Sequence, residues 1–153
     1  MRNVFKLFMT ACLLVSVAMT GVAQKDYSKS EGLLKYVDPY IGSGFHGHVF
    51  VGTSVPYGMV QVGPNNIHKG WDWCSGYHYS DSILIGFSQT HLNGTGCTDL
   101  GDIMIMPMNE IRTERGKQSD ISNGYASKYS HENEIARPEY YSLLVERYNI
   151  KAE

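Results

Sequence analysis

The chain is 153 residues long and carries 13 Lys and Arg against 15 Asp and Glu, a formal charge of −2. So even a balance excludes a surface built to coat nucleic acid, which needs a dense positive patch. The length suits one modest domain.

From the N-terminus, "MRNVFKLFMTACLLVSVAMTGVA" places Arg2 and Lys6 before an apolar run and ends on small residues. This is the pattern of a secretory signal peptide, residues 1–23, cut after Ala23, and the run is too short for a comfortable membrane span. An acylated Cys12 is the weaker reading, because the apolar segment continues past it. Residues 24–35 are polar and charged and read as a flexible tether, and "SEGLLKYV", which runs from it into the ordered domain, has room for about one helical turn.

The ordered domain is expected over 36–153. Four β-type runs, "HVFVGTSVPYGMVQVGP", "SILIGFSQTH", "DIMIMPMNEI" and "EYYSLLVERYNIKAE", alternate with Gly-, Pro- and Asn-marked turns. Many short strands without a long amphipathic stripe predict an all-β sandwich. Residues 112–138 are polar, with a tight turn at Asn123-Gly124 and Tyr125 and Tyr129 as strand candidates. The last run reads as a strand, a turn near Tyr148-Asn149, and the opening of a partner strand at Glu153. The sandwich is therefore expected to be incomplete at its C-terminus, marginally stable and prone to associate through the open edge.

The chemistry concentrates in residues 71–102, "WDWCSGYHYSDSILIGFSQTHLNGTGCTDLGD". Cys74, His78, His91 and Cys97 are zinc-type ligands at spacings that match no common structural zinc site. Asp99 and Asp102 offer oxygens to calcium, but paired acids are common in turns. Ser75 lacks a nucleophile elbow, and "GSGFHG" lacks the lysine and helix of a phosphate loop. In an exported protein Cys74 and Cys97 are compatible with a disulfide, and equally with two buried free thiols. Sugar recognition fits better, since flat rings stack on a pyranose face while carboxylates, amides and imidazoles bond its hydroxyls. Trp71 and Trp73, as i and i+2 of a strand, would share a face, so at least one is expected to be structural.

The strings "YVDPYIGSGFHGHVFVGTSVPYGMVQVGP" and "WDWCSGYHYSDSILIGFSQTHLNGTGCTDLGDIMIMP" together closely resemble the N-terminal domain of glycoside hydrolase family 92, the exo-acting α-mannosidases. The resemblance implies a supersandwich of the galactose-mutarotase-like type followed by a large (α/α)6 helical domain. It further implies a secreted, calcium-dependent, inverting enzyme acting on terminal mannose of N-glycans or mannans, in the periplasm or at the cell surface. Trp71, Asp72, Trp73, His91, Asn93 and Asp99 are then the candidates for the mannose-binding wall. An inverting acid and base stand about 6.5–9.5 Å apart. In the family both carboxylates and most of the calcium site come from the helical domain, so this chain is expected to hold no catalytic residue and no metal of its own. It then reads as the N-terminal part of an α-mannosidase, truncated before its catalytic domain. The alternatives are a free-standing mannose-binding module and a structural sandwich.

Overall fold

The computed structural model describes residues 32–54, 58–99 and 101–153; the leader 1–23 and residues 24–31 of the tether lie outside the described residues. Gly32–Tyr36 form an exposed 3-10 turn where one helical turn was read. Among the described residues there is no α-helix, and the strands form two three-stranded antiparallel sheets. The first orders β1 (Gly63–Asn66), β2 (Ile83–Ser88) and β3 (Ser127–Lys128), and the second β4 (Glu134–Arg137), β5 (Tyr140–Val145) and β6 (Ile150–Ala152).

The second sheet follows from local sequence. Arg137 pairs with Tyr140, leaving Pro138-Glu139 as a two-residue hairpin loop, with proline's fixed φ favouring the reversal. Val145 pairs with Ile150 across a four-residue turn that Asn149 closes with φ 51, a left-handed conformation asparagine tolerates. In β4 the burial alternates, so Glu134 and Ala136 face inward while Ile135 and Arg137 face outward. A carboxylate thus occupies a core position, and its side chain is fully buried.

That charge is held by three donors. Tyr141 Oη donates to Oε1 at 2.6 Å, Tyr77 Oη reaches both oxygens at 3.2 Å, and His131 Nδ1 lies 2.5 Å from Oε2. Burial above all, with the charge of Glu134 adding to it, raises both tyrosine hydroxyls well above their usual range, so they remain donors. Around this centre Val51, Tyr77 and Leu84 meet Ala136, Leu143 and Val145, a core to which both sheets contribute.

The first sheet departs from its sequence pattern. Its edge strand β1 reads Gly-Pro-Asn-Asn, with a bulge between Asn65 and Asn66. Gly63 is required there, since a Cβ would lie 2.3 Å from the Val51 carbonyl. The predicted run at 102–111 contributes one bridge, Phe87 to Ile105, because Ile103 takes φ 53 and breaks the extended path. Its Ile103, Met104 and Ile105 are exposed. Gly124 N–H closes the Asn123-Gly124 turn on Ile121 O at 3.0 Å.

Leu143 is fully buried in the shared core. Leu143→Ala is expected to lower the urea unfolding free energy by about 2–5 kcal/mol, the range for a leucine cavity that relaxes only in part. A loss below ~1 kcal/mol would show that the core is not packed as described.

Candidate functional site

Trp71–Trp73 form a 3-10 turn rather than a strand. Gly70, at φ 130, turns the chain, after which Trp73 N–H bonds Gly70 O at 3.0 Å and Cys74 N–H bonds Trp71 O at 3.1 Å. At three residues per turn, i and i+2 diverge instead of sharing a face. Trp71 is consequently 57% exposed, whereas Trp73 is half-buried.

Trp73 is structural. Its indole Nε1 donates to Asp81 Oδ2 at 2.8 Å, and its ring stacks on His78 at 4.3 Å. Lys69 Nζ bonds the same Asp81 oxygen at 2.8 Å and stands 5.5 Å over the indole. The other oxygen of Asp81 accepts the amides of Ser82 and Ile83. His78 Nδ1 accepts from Ser80 N–H, so its proton is on Nε2, directed at Phe45 O. A buried carboxylate with this many donors fixes the turn at little net cost.

Trp71 faces outward from a polar frame. The His48 ring meets it edge-on at 4.2 Å and the His46 ring lies 5.4 Å away, tilted. Asp72 Oδ1 is 2.5 Å from His46 Nδ1 and 3.6 Å from His48 Nε2. The hydrogen bond from His46 holds the Asp72 carboxyl below its usual range. His48 is 7% exposed, and its Nε2 has no hydrogen-bond partner. Both imidazoles come from the "GFHGHV" turn, where Phe45 and His48 adopt positive φ. Phe45 itself is 88% exposed.

The loop carrying Asn93 closes one side of this frame. Gly94 N–H bonds His48 O at 2.8 Å, and Cys74 Sγ donates to Thr95 O at 2.8 Å. A Cβ on Gly96 would come within 2.4 Å of Trp71 Nε1, so only glycine lets the loop reach the indole. Asn93 is exposed on that loop. Asp99 is exposed and lines a separate cavity of about 210 Å³, with Asn65, His68 and Trp73 among its other walls.

His91 is a buried packing residue, not part of the exposed frame. It is 3% exposed, stacks on Phe50 at 4.9 Å, and directs Nδ1 at Gln61 O and Nε2 at Ser88 Oγ. Cys74 and Cys97 are both free thiols, the first buried and the second exposed. The structure thus brings Trp71 and Asp72 together with the Asn93 loop, and adds His46 and His48. Sequence reasoning missed those two, although two histidines spaced i, i+2 in a glycine-rich turn mark them.

The two antiparallel sheets, with aromatic and polar side chains gathered at one turn, define an all-β sandwich domain. The model of the glycosyl hydrolase family 92 N-terminal domain matches residues 36–153, and the chain belongs to that family. A family GH92 α-mannosidase of Bacteroides thetaiotaomicron, solved with mannoimidazole, superposes with a TM-score of 0.75 at 41% identity, over 80% of this chain and 16% of that one. Its structure without the inhibitor gives the same score and identity. A further GH92 glycosyl hydrolase reaches a TM-score of 0.60 at 28% identity, over 73% of this chain and 14% of its own. An uncharacterised secreted glycosidase of Arthroderma benhamiae is 30% identical over 112 residues, 72% of this chain and 14% of that protein. The chain therefore spans roughly a sixth of these relatives' length.

Burial holds the His91 imidazole below its usual range, so on acidification the unfolded chain takes up that proton first. The stability tied to the neutral ring is full above the unfolded value of ~6.5 and is lost as pH falls toward the lower folded value. Urea midpoints measured at about pH 7.5 and about pH 5.5 should drop on acidification, and drop less in His91→Gln. An equal drop in the variant would assign the pH dependence to other groups.

Proposed function

We propose that this chain supplies the N-terminal sugar-facing wall of an exported, exo-acting, inverting α-mannosidase that removes terminal mannose from N-glycans or mannans. The observation that carries the reading is Trp71, an exposed indole bordered by Asp72 and by the imidazoles of His46 and His48. An indole face matches the apolar face of a pyranose, and hydroxyls at its rim would bond Asp72 and the exposed His46. Asn93, on the loop packed against Trp71, adds an amide to the same side. The mannoimidazole-bound α-mannosidase relative supports mannose as the sugar. The leader-like N-terminal sequence and the relative named as secreted support export, to the periplasm or cell surface in this reading.

Three carboxylates near the site or in the core are already engaged by neighbours. Asp72 is tied to His46, Asp81 is buried beneath Trp73 and paired with Lys69, and Glu134 is enclosed in the core. In this reading the wall orients mannose, and the acid and base that cleave the bond stand across the pocket, on an (α/α)6 domain. Among the described residues no three His, Cys, Asp or Glu side chains are grouped to hold a metal ion. In the complete enzyme, the proposed calcium would draw its ligands from the same helical domain.

Calorimetric titration of the chain with mannoimidazole should show binding, and Trp71→Ala should weaken it at least tenfold, about 1.4 kcal/mol or more. Trp73→Phe should lower the unfolding midpoint and leave affinity closer to that of the parent. The chain should leave α-1,2-mannobiose intact. No binding would favour a structural sandwich, binding unaffected by Trp71→Ala would put the sugar site elsewhere, and hydrolysis would place the acid and base in this chain.

A further inference from the structure

Cys74 is buried in the turn that carries Trp71, with its thiol donating to Thr95 O at 2.8 Å. Cys97 is exposed two residues beyond Thr95, and its amide bonds the hydroxyl of that same threonine at 3.0 Å. Cys97 thus lies two residues along the chain from the carbonyl that holds the Cys74 thiol, a stretch that spans at most ~7 Å. The intervening Gly96 contributes no side chain to obstruct the approach. Burial, and then the neighbouring Cys97, push the Cys74 thiol above its usual range, so it is the slower and more protected of the two.

We propose that Cys74 and Cys97 are a latent redox pair whose disulfide staples the 93–97 loop to the Trp71–Trp73 turn. This inference does not depend on the sugar assignment. The oxidant is a disulfide of the kind exchanged by small thiols or dithiol oxidases. The exposed Cys97 thiolate attacks one of its sulfurs, forming a mixed disulfide and releasing one thiol. Cys74 gives its proton to solvent and attacks the Cys97 sulfur, expelling the second thiol. Two S–H bonds are lost, one S–S bond forms, and the oxidant gains two electrons. The staple restrains the backbone carrying Gly94 and Gly96, the two residues that meet His48 and Trp71.

The test is native incubation of the full chain, in a Cys12→Ser background, with oxidised glutathione, read by intact mass and by thiol titration in denaturant. The proposal requires a monomer two hydrogens lighter with no titratable thiol, and a thermal midpoint several degrees higher than that of the reduced chain. Cys97→Ser, a change at an exposed position, should keep the native midpoint of the reduced chain and leave Cys74 unmodified. A stable glutathione adduct on Cys97 with Cys74 still free, a disulfide-linked dimer, or no reaction at all would each overturn it.

Discussion

The fully buried carboxylate of Glu134 is the constraint on which this fold depends. An uncompensated charge in that position would cost several kcal/mol, so its three donors must arrive together. They come from separate parts of the chain: Tyr77 beyond the tryptophan turn, His131 in a 3-10 turn, and Tyr141 on β5. His131 also directs Nε2 at Tyr79 O and stacks on the Tyr79 ring at 4.3 Å. Residues 77–79 are thereby attached to the second sheet from two directions. Because Asn66 on β1 bonds the His78 amide at 2.8 Å, the same segment also belongs to the first sheet. One buried carboxyl group therefore ties the two sheets to each other through the segment that follows the tryptophan turn.

The polar character of residues 71–102 has a physical explanation in two layers. The inner layer, Trp73, His78, Asp81 and His91, is buried or half-buried and satisfied by neighbours. The outer layer, Trp71 and Asp72 with His46, faces solvent and retains bonding capacity. A stretch can be rich in chemistry-bearing residues because it folds a loop-rich surface, and only some of those residues are then left to meet a ligand.

The fold class was legible because short β-formers between turn residues leave few other solutions, and the closing hairpin was legible because "YYSLLV" and Asn149 state both strand and turn locally. Elsewhere the pattern misled for identifiable reasons. β1 is built from Gly, Pro and Asn, poor strand formers, and exists because close backbone crossing and asparagine bonds demand it. The apolar run at 102–111 looks extended, yet one left-handed Ile103 ends the path. Trp71 and Trp73 were readable as a pair but not as a diverging one, since Gly70 decides the turn through a dihedral that composition does not reveal. His91 owes its depth to Gln61 and Asn65, 30 and 26 residues away, and such distant partners leave no local trace.

The glycine at position 96 has a consequence for how any ligand would be met. With His48 against one side of the indole and bare backbone against its edge, Trp71 has little freedom to swing. An exposed tryptophan ordinarily surrenders rotational entropy when a partner arrives, and the contacts with His48 and Gly96 reduce that loss here. A shallow, half-open surface can then hold a small polar ligand in one orientation without a deep pocket around it, because the platform is rigid before contact.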